Sequence, residues 1–503
     1  MRKIFIKSLL LSATLAASMA TVSSCSNDDS TSITDPRRFA ASDVKSYANL
    51  FEVFWHTMDQ RYNYFSEQKQ IDGYNWDNIY KEYHPKFEAL QTWGRETDDE
   101  GQINADYLQA KEYFTEIIDP IIDRHFNVLI YFPITNKNII TSEYFYGGMT
   151  NTDVARNYPF AQKYAYMQNN LATNSVKRQN FLLAGEVKTN PDIYYMSFSD
   201  FTLSSKMQIT LFDKYLNPDA GNSLLLTEAK IDANPSLNYI ADPAVREQVK
   251  AFTMNVLNEW NTFFSSAEVE NFNKEIQGFK NTEVLSDAFV QNAQAALAKI
   301  PTLPNYSQLA TYNSVINLDF YAYYYIDWFI GQMSQHVTYG YNLPSFQQAA
   351  ASVINNQAFY KQFLNPLAKG EIKKVILDLR SNGGGAVLDA RFFSDRFVTK
   401  ETVFAYQRTK EGNGRFNYTP WIEAKTNPHK FGIPANIPIA ILTDRGSASM
   451  SEITTLMLKS QGNQVVSIGD YSAGATAGLG TTDDFNGGTA MLWLVVGLLF
   501  ICR

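Results

Sequence analysis

Hydrophobic positions along the chain fall into two periods. From Asp43 to about Leu90, Phe51, Phe54, Trp55 and Met58 recur at i, i+3, i+4 and i+7, and a second run follows Trp76. The spacing predicts a small helical module, taken as residues 43–120. The same period returns in VREQVKAFTMNVLNEWNTFF and between Asp287 and Ile300, which predicts a helical insertion over 204–345. Short apolar runs rich in β-branched and aromatic residues are the signal of strands. They occur as HFNVLIYFPI (125–134) and DIYYMSFSDF (192–201), in a segment of 121–203, and as KKVILDL, IPIAILT and NQVVSIGD in 346–503. In that last segment AVLDARFFSDRFV reads as a helix between strands, and a further helix runs to about Lys459. The rhythm strand, loop, helix, strand implies βαβ crossovers and a largely parallel sheet, with active loops at the strands' C-terminal ends. The fold class is therefore α/β.

The two ends depart from these patterns. MRKIFIKSLLLSATLAASMATVSSC has a basic start, an apolar centre and small residues before Cys25, the layout of a secretory signal over 1–25. The cysteine resembles that of a bacterial lipobox, which implies lipidation at Cys25 and an outer-membrane lipoprotein of the cell envelope, facing either the periplasm or the exterior. SNDDSTSITD then reads as part of a polar tether over 26–42. At the other end, GGTAMLWLVVGLLFICR is apolar from Met491 to Cys502 but too short for a membrane span. It is consistent with a final strand, a hydrophobic tail or an altered, truncated reading frame.

Bulk composition excludes several classes. The 503 residues carry 43 Lys+Arg against 51 Asp+Glu, a net charge of −8 that gives no reason to expect nucleic acid. With only Cys25 and Cys502 there is no disulfide framework and no metal-ligand spacing, and no cofactor is expected. The tyrosine-rich DFYAYYYIDWF (319–329) suits core packing or a peptide- or sugar-binding face.

The candidate chemistry lies in two strand-to-loop junctions. ILDLRSNGGG places Gly383, Gly384 and Gly385 where bare backbone can approach a ligand. TDRGSASMSEI puts Ser449 at a predicted helix start, where free N–H groups and the helix dipole favour an oxyanion. Ser449 and Glu452 also have the spacing of a capping box, so simple capping competes with nucleophilic catalysis. His125, in DRHFNV, stands beside a strand.

Together, LDLRSNGGG (377–385), GSASMSE (446–452) and the D-x-H of Asp123 to His125 resemble the tail-specific, or C-terminal processing, serine peptidases, most closely the tricorn-core-like branch and its Bacteroidetes lipoprotein members. The resemblance implies a ClpP/crotonase-like βαβ core acting on a protein or peptide substrate. It makes Ser449 the nucleophile, His125 the base, and Gly384 and Met450 the oxyanion donors. Asp378 and Glu452 are supporting residues, Asp378 by pairing with Arg380 beneath the glycine turn. Where some family members carry a catalytic lysine, GDYSAGATAG has Ala475, so a Ser–Lys dyad is not expected. The reading is an exported serine endopeptidase acting on unfolded or C-terminal segments. The alternative is an inactive peptide- or glycan-binding outer-membrane lipoprotein that keeps the fold.

Overall fold

The structure, a computed structural model, describes residues 39, 41–94, 99–133, 140–148, 157–311, 319–410, 417–434, 437–477, 483–485 and 490–493. The signal and lipidation readings, and the end of the apolar C-terminal stretch, lie outside the described residues.

The helical module forms as its periodicity predicts. Helices α1 (Tyr47–Arg61), α2 (Phe65–Ile71), α3 (Trp76–Glu88) and α4 (Glu100–Ile118) follow one another. Side chains of Ser46, Asn75 and Asp99 accept first-turn N–H groups and so set three of the starts. Apolar faces of these helices close over β1 (Asn127–Pro133) and β2 (Ile140–Tyr146) around Phe51, Phe87, Phe114 and Phe132. β1 also pairs with β12 (Ala490–Trp493), which pairs with β11 (Asp483–Phe485), so the far end of the chain completes the module's antiparallel sheet.

The second unit is a six-stranded mixed sheet. It contains β3 (Val176–Arg178), β4 (Leu182–Val187), β5 (Asn190–Phe198), β6 (Lys374–Asp378), β9 (Ile439–Thr443) and β10 (Val465–Gly469), in the order β10-β9-β6-β5-β4-β3. β5, β6, β9 and β10 are parallel, and β3 and β4 extend the sheet antiparallel. Helix α5 (Phe160–Met167) covers one face. Between β6 and β9, β7 (Val403–Gln407) and β8 (Ile422–Lys425) form a separate hairpin.

The helical insertion is not a body apart. Its helices α6 (Pro243–Phe264), α7 (Ala267–Thr282), α8 (Asp287–Lys299), α9 (Phe320–Gln335) and α10 (Leu343–Phe359) bury their stripes in the same cluster as Met196, Leu377 and Ile441 of the sheet. Helix α9 resolves the aromatic question both ways: Tyr325 and Phe329 are core, whereas Phe320, Tyr321, Tyr323 and Tyr324 are exposed. One expected helix is corrected. AVLDARFFSDRFV forms only a short turn at Asp389–Phe392 and a 3-10 turn at Ser394–Phe397. Asp389 there spends its carboxylate on the N–H groups of Leu203 and Ser204, at 2.5 and 2.9 Å, so the turn anchors a neighbouring loop instead of continuing.

Candidate active site

β9 ends at Thr443 and helix α11 (Met450–Lys459) begins seven residues later, with Ser449 at its N-cap. Ser449 has φ 56° and ψ −119°, a conformation that residues with side chains rarely adopt and that lifts a hydroxyl out of a strand-to-helix turn. Backbone held in such a state persists only where its surroundings over-determine it. Here they do. Gly384, at φ +91°, lies directly against the turn: a Cβ there would stand 2.5 Å from Ser449 Cβ and 2.8 Å from Met450 N.

The three serines of the motif separate cleanly. Ser447 is buried; its Oγ donates to Leu379 O at 2.8 Å and accepts the Asp444 N–H. Ser451, also buried, donates to Asn382 O at 2.7 Å. Both sew the nucleophile turn to the strand-and-glycine segment 379–382. The Ser449 hydroxyl is half-exposed and donates to no acceptor among the described residues.

Carboxylates clamp the turn on either side. Glu452, buried in the first turn of α11, accepts the N–H groups of Ser449 and Ala475 at 2.9 Å, that of Gly474 at 2.8 Å and the Ser472 hydroxyl at 2.6 Å. Capping does not exclude a chemical role, since the carboxylate of the capping box also seats the 472–475 segment beside the serine. Asp444, which the sequence reading passed over, accepts from Ser381 N at 2.6 Å, Gly446 N at 2.9 Å and Tyr158 N at 2.8 Å. An acid followed by Arg-Gly at a strand end is the turn signal that pointed to it. Asp378 forms the expected pair with Arg380, 2.5 Å from Nη2, and also accepts the Tyr195 hydroxyl at 2.8 Å. The buried Lys163 ammonium reaches the carbonyls of Asp378 and Arg380 from α5, and burial brings it down to about 8.

His125 reaches this assembly from the other core. It lies two residues before β1, and its Nδ1 is 2.8 Å from Ala477 O. A proton on Nδ1 satisfies that carbonyl and leaves Nε2 as the acceptor, the tautomer a general base requires. Burial lowers the imidazole pKa from its ordinary value, against the opposing pull of the Ala477 carbonyl and the Glu452 carboxylate. Ser449 N–H meanwhile donates to Ala475 O at 3.0 Å. Ser449 and His125 therefore grip carbonyls two residues apart, roughly 7 Å along an extended chain. Among the described residues no direct hydrogen bond joins them; such bonds are often long in unliganded enzymes and tighten around substrate. Asp123 positions His125 by accepting its N–H on Oδ1 at 2.7 Å. Asp123 Oδ2 is buried without a hydrogen-bond partner, and burial pushes this carboxyl up to about 7.

One expected role changes. The Gly384 N–H donates to Asn382 Oδ1 at 3.0 Å, so as an oxyanion donor it would have to be shared. What the geometry assigns to Gly384 is close approach. Met450 N–H, at the first position of α11, has no intrahelical acceptor and stays the better-placed donor. Ala475 stands beside Ser449 where the sequence reading placed the missing lysine. His84 and His336 are accounted for elsewhere, by Glu52 and by Leu226 N with Asn261. Among the described residues no cluster of His, Cys, Asp and Glu could hold a metal ion.

Comparison with known proteins agrees with the motifs. Residues 339–492 match the model of peptidase family S41. The chain is 32% identical over 115 residues to the carboxy-terminal processing protease CtpB of Bacillus subtilis (strain 168); the match covers 23% of this chain and 22% of that relative. Among solved structures, a protein of Parabacteroides merdae ATCC 43184 assigned as a peptidase aligns over 91% of this chain and 85% of its own, at 14% identity and TM-score 0.42. The photosystem II D1 C-terminal processing protease aligns over 29% of this chain and 34% of its own, at 18% identity and TM-score 0.21. Residues 339–492, which contain the turn around Ser449, are thus similar to peptidase family S41, and the match to the curated relative spans 22% of that protein's length.

Proposed function

We propose that this chain is an exported serine endopeptidase that cleaves unfolded or C-terminal segments of proteins, with Ser449 as nucleophile and His125 as base. The observation that carries the reading is the strained Ser449 backbone, held between Gly384, Ser447 and Ser451 while its hydroxyl proton stays uncommitted. A fold that needed only a helix cap has no reason to sustain a positive φ at a serine.

In the proposed reaction Ser449 Oγ attacks the scissile carbonyl carbon as its proton passes to His125 Nε2. The carbonyl oxygen becomes an oxyanion facing the Met450 N–H and the N-terminal end of α11. The tetrahedral intermediate collapses as His125 returns the proton to the departing amine, leaving an acyl-enzyme that water then hydrolyses by the same exchange. The Glu452 carboxylate lies near enough to favour the imidazolium formed in between. It acts through the 475–477 backbone, where other serine peptidases bring an acid directly to the histidine.

Export and lipidation at Cys25, placing the globule on a membrane of the cell envelope, belong to the same proposal and rest on the sequence. Incorporation of labelled palmitate that disappears in Cys25→Ala tests them. A second reading, a peptide-binding protein without activity, is favoured by the absence of a Ser449–His125 hydrogen bond and by Ala475. A fluorophosphonate probe separates the two: labelling of the wild type that is lost in Ser449→Ala supports the peptidase, and no labelling of the folded wild type supports the binder.

A further inference from the structure

The proposed nucleophile and base belong to different hydrophobic cores. The turn around Ser449 belongs to the sheet and insertion, whereas residues 121–132 belong to the helical module, whose cluster takes Ala477 from across the seam. Something must hold the two in register. The hairpin β7–β8 extends from the sheet unit to the loop between α1 and α2. Arg408, just past β7, pairs through Nη2 with Glu67 of α2 at 2.6 Å, each side chain less than a fifth exposed. Its guanidinium is held in place by two rings, 3.9 Å from the Tyr418 centroid and 4.4 Å from that of Trp421. The Tyr418 hydroxyl donates to Asn63 O at 3.2 Å, and the Lys410 ammonium donates to Asp59 O.

The gripped loop leads to the site. Tyr64 lies within it, and its hydroxyl is 3.4 Å from Thr476 Oγ1, between the two carbonyls that Ser449 and His125 use. Tyr62 is fully buried beside Asp123, the residue that accepts the His125 N–H. A continuous series of contacts therefore runs from Arg408 through Glu67 and the segment 59–67, which joins the end of α1 to the start of α2, to residues 475–477 and 123–125.

We propose that Arg408 is a positioning residue: the Arg408–Glu67 clasp, seated on Tyr418 and Trp421, holds the module that bears His125 against the core that bears Ser449. The proposal rests on the peptidase reading for its catalytic consequence. A planar guanidinium stacked between two rings is not replaced by an ammonium, so Arg408→Lys restores only part of what Arg408→Gln removes. Exchanging the charges, Arg408→Glu with Glu67→Arg, recovers more than either single change.

The test has two arms on the mature chain below its unfolding temperature. Amide hydrogen exchange of Arg408→Gln should rise in 59–67 and 121–127 while 374–385 and 446–458 keep their protection. Fluorophosphonate labelling of Ser449 should slow tenfold or more, and the same substitution in a His125→Ala background should slow it no further. Faster exchange with unchanged labelling would show that the clasp holds the module but that the module does not serve Ser449. Unchanged exchange would remove the clasp itself. A folded wild type with the expected exchange pattern but no labelling would sink the peptidase reading and the catalytic half of this proposal with it.

Discussion

The surroundings of Ser449 and those of His125 are built to different standards. Around the serine almost every polar group is committed: Ser447, Ser451, Asp444 and Glu452 each hold two or more partners, and Gly384 fills the remaining space with backbone. Around the histidine, Asp123 Oδ2 and the Tyr62 hydroxyl are buried without hydrogen-bond partners, and the imidazole is fixed by one carbonyl. The first is a turn that packing and hydrogen bonds determine locally. The second depends on two cores meeting. The strained backbone of Ser449 needs the first kind of support, because its conformation is costly, whereas in the proposed mechanism His125 needs only a tautomer and a place.

The strongest way to break this comparison is to remove each residue in turn. Ser449→Ala should lower peptide hydrolysis at least about a thousandfold and cost no more stability than the loss of a helix cap, about 1 kcal/mol, because its hydroxyl serves the fold only as the N-cap acceptor of α11. His125→Ala should cost about a hundredfold to ten-thousandfold, the usual range for a general base. The pH profile carries the sign. His125 acts when neutral and burial lowers its pKa, so kcat/KM holds on the alkaline side and falls as the pH drops through a value below about 6.5. A profile whose acid limb survives in His125→Ala would assign the base to another group.

The glycine turn gives the next largest effect and an internal control. Gly384→Ala places a Cβ at 2.5 Å from Ser449 Cβ on a backbone at φ +91°, whereas a Cβ on Gly383 meets nothing within 4 Å. The first should abolish labelling and destabilise the fold by about 2 kcal/mol or more, and the second should do neither. Differential scanning calorimetry with probe labelling checks both. The flanking serines come third. Ser447→Ala and Ser451→Ala each strip buried partners, at roughly 1–3 kcal/mol apiece, while leaving the Ser449 hydroxyl in place. The ordering of the three serines is thus opposite for activity and for stability, and equal stability losses at all three would contradict the division of roles.

What was legible in the sequence follows the same line. The nucleophile turn announced itself because close backbone approach demands glycine and tight turns demand Gly, Ser and Asp, so local chemistry left a local mark. The strands around it and the helical stripes were equally readable. The module's sheet was not, since β1 finds its partner β12 more than 350 residues away, and nothing local marks such a pairing. The insertion read as separate because its period changes, yet its stripes complete the sheet's own core. His125 was visible only as a histidine beside a strand. Its orientation depends on Ala477, whose relevant atom is a backbone carbonyl and so independent of residue type. The Gly384 donor role was inferred from motif alone, and the Asn382 side chain that takes its N–H could be seen only in three dimensions.

The smallest effect is the sharpest test of the looser half. Asp123 is buried and its carboxyl is pushed up to about 7, chiefly by burial and also by the Glu452 charge, against the opposing effects of the His125 and Ala477 N–H groups. A carboxyl whose folded pKa exceeds its unfolded value of about 3.9 favours the native state fully below that value, and the advantage is lost as pH rises through the folded pKa. Asp123→Asn keeps an oxygen for the His125 N–H and removes the charge. Its unfolding temperature should therefore match the wild type near pH 4 and exceed it at pH 8. Any limb of the wild-type activity profile near pH 7 should disappear in this variant, leaving the lower limb of His125. If Asp123→Asn were less stable at pH 8 than at pH 4 relative to wild type, the ionised carboxylate would be a favourable native partner, and the seam would be as fully satisfied as the nucleophile turn.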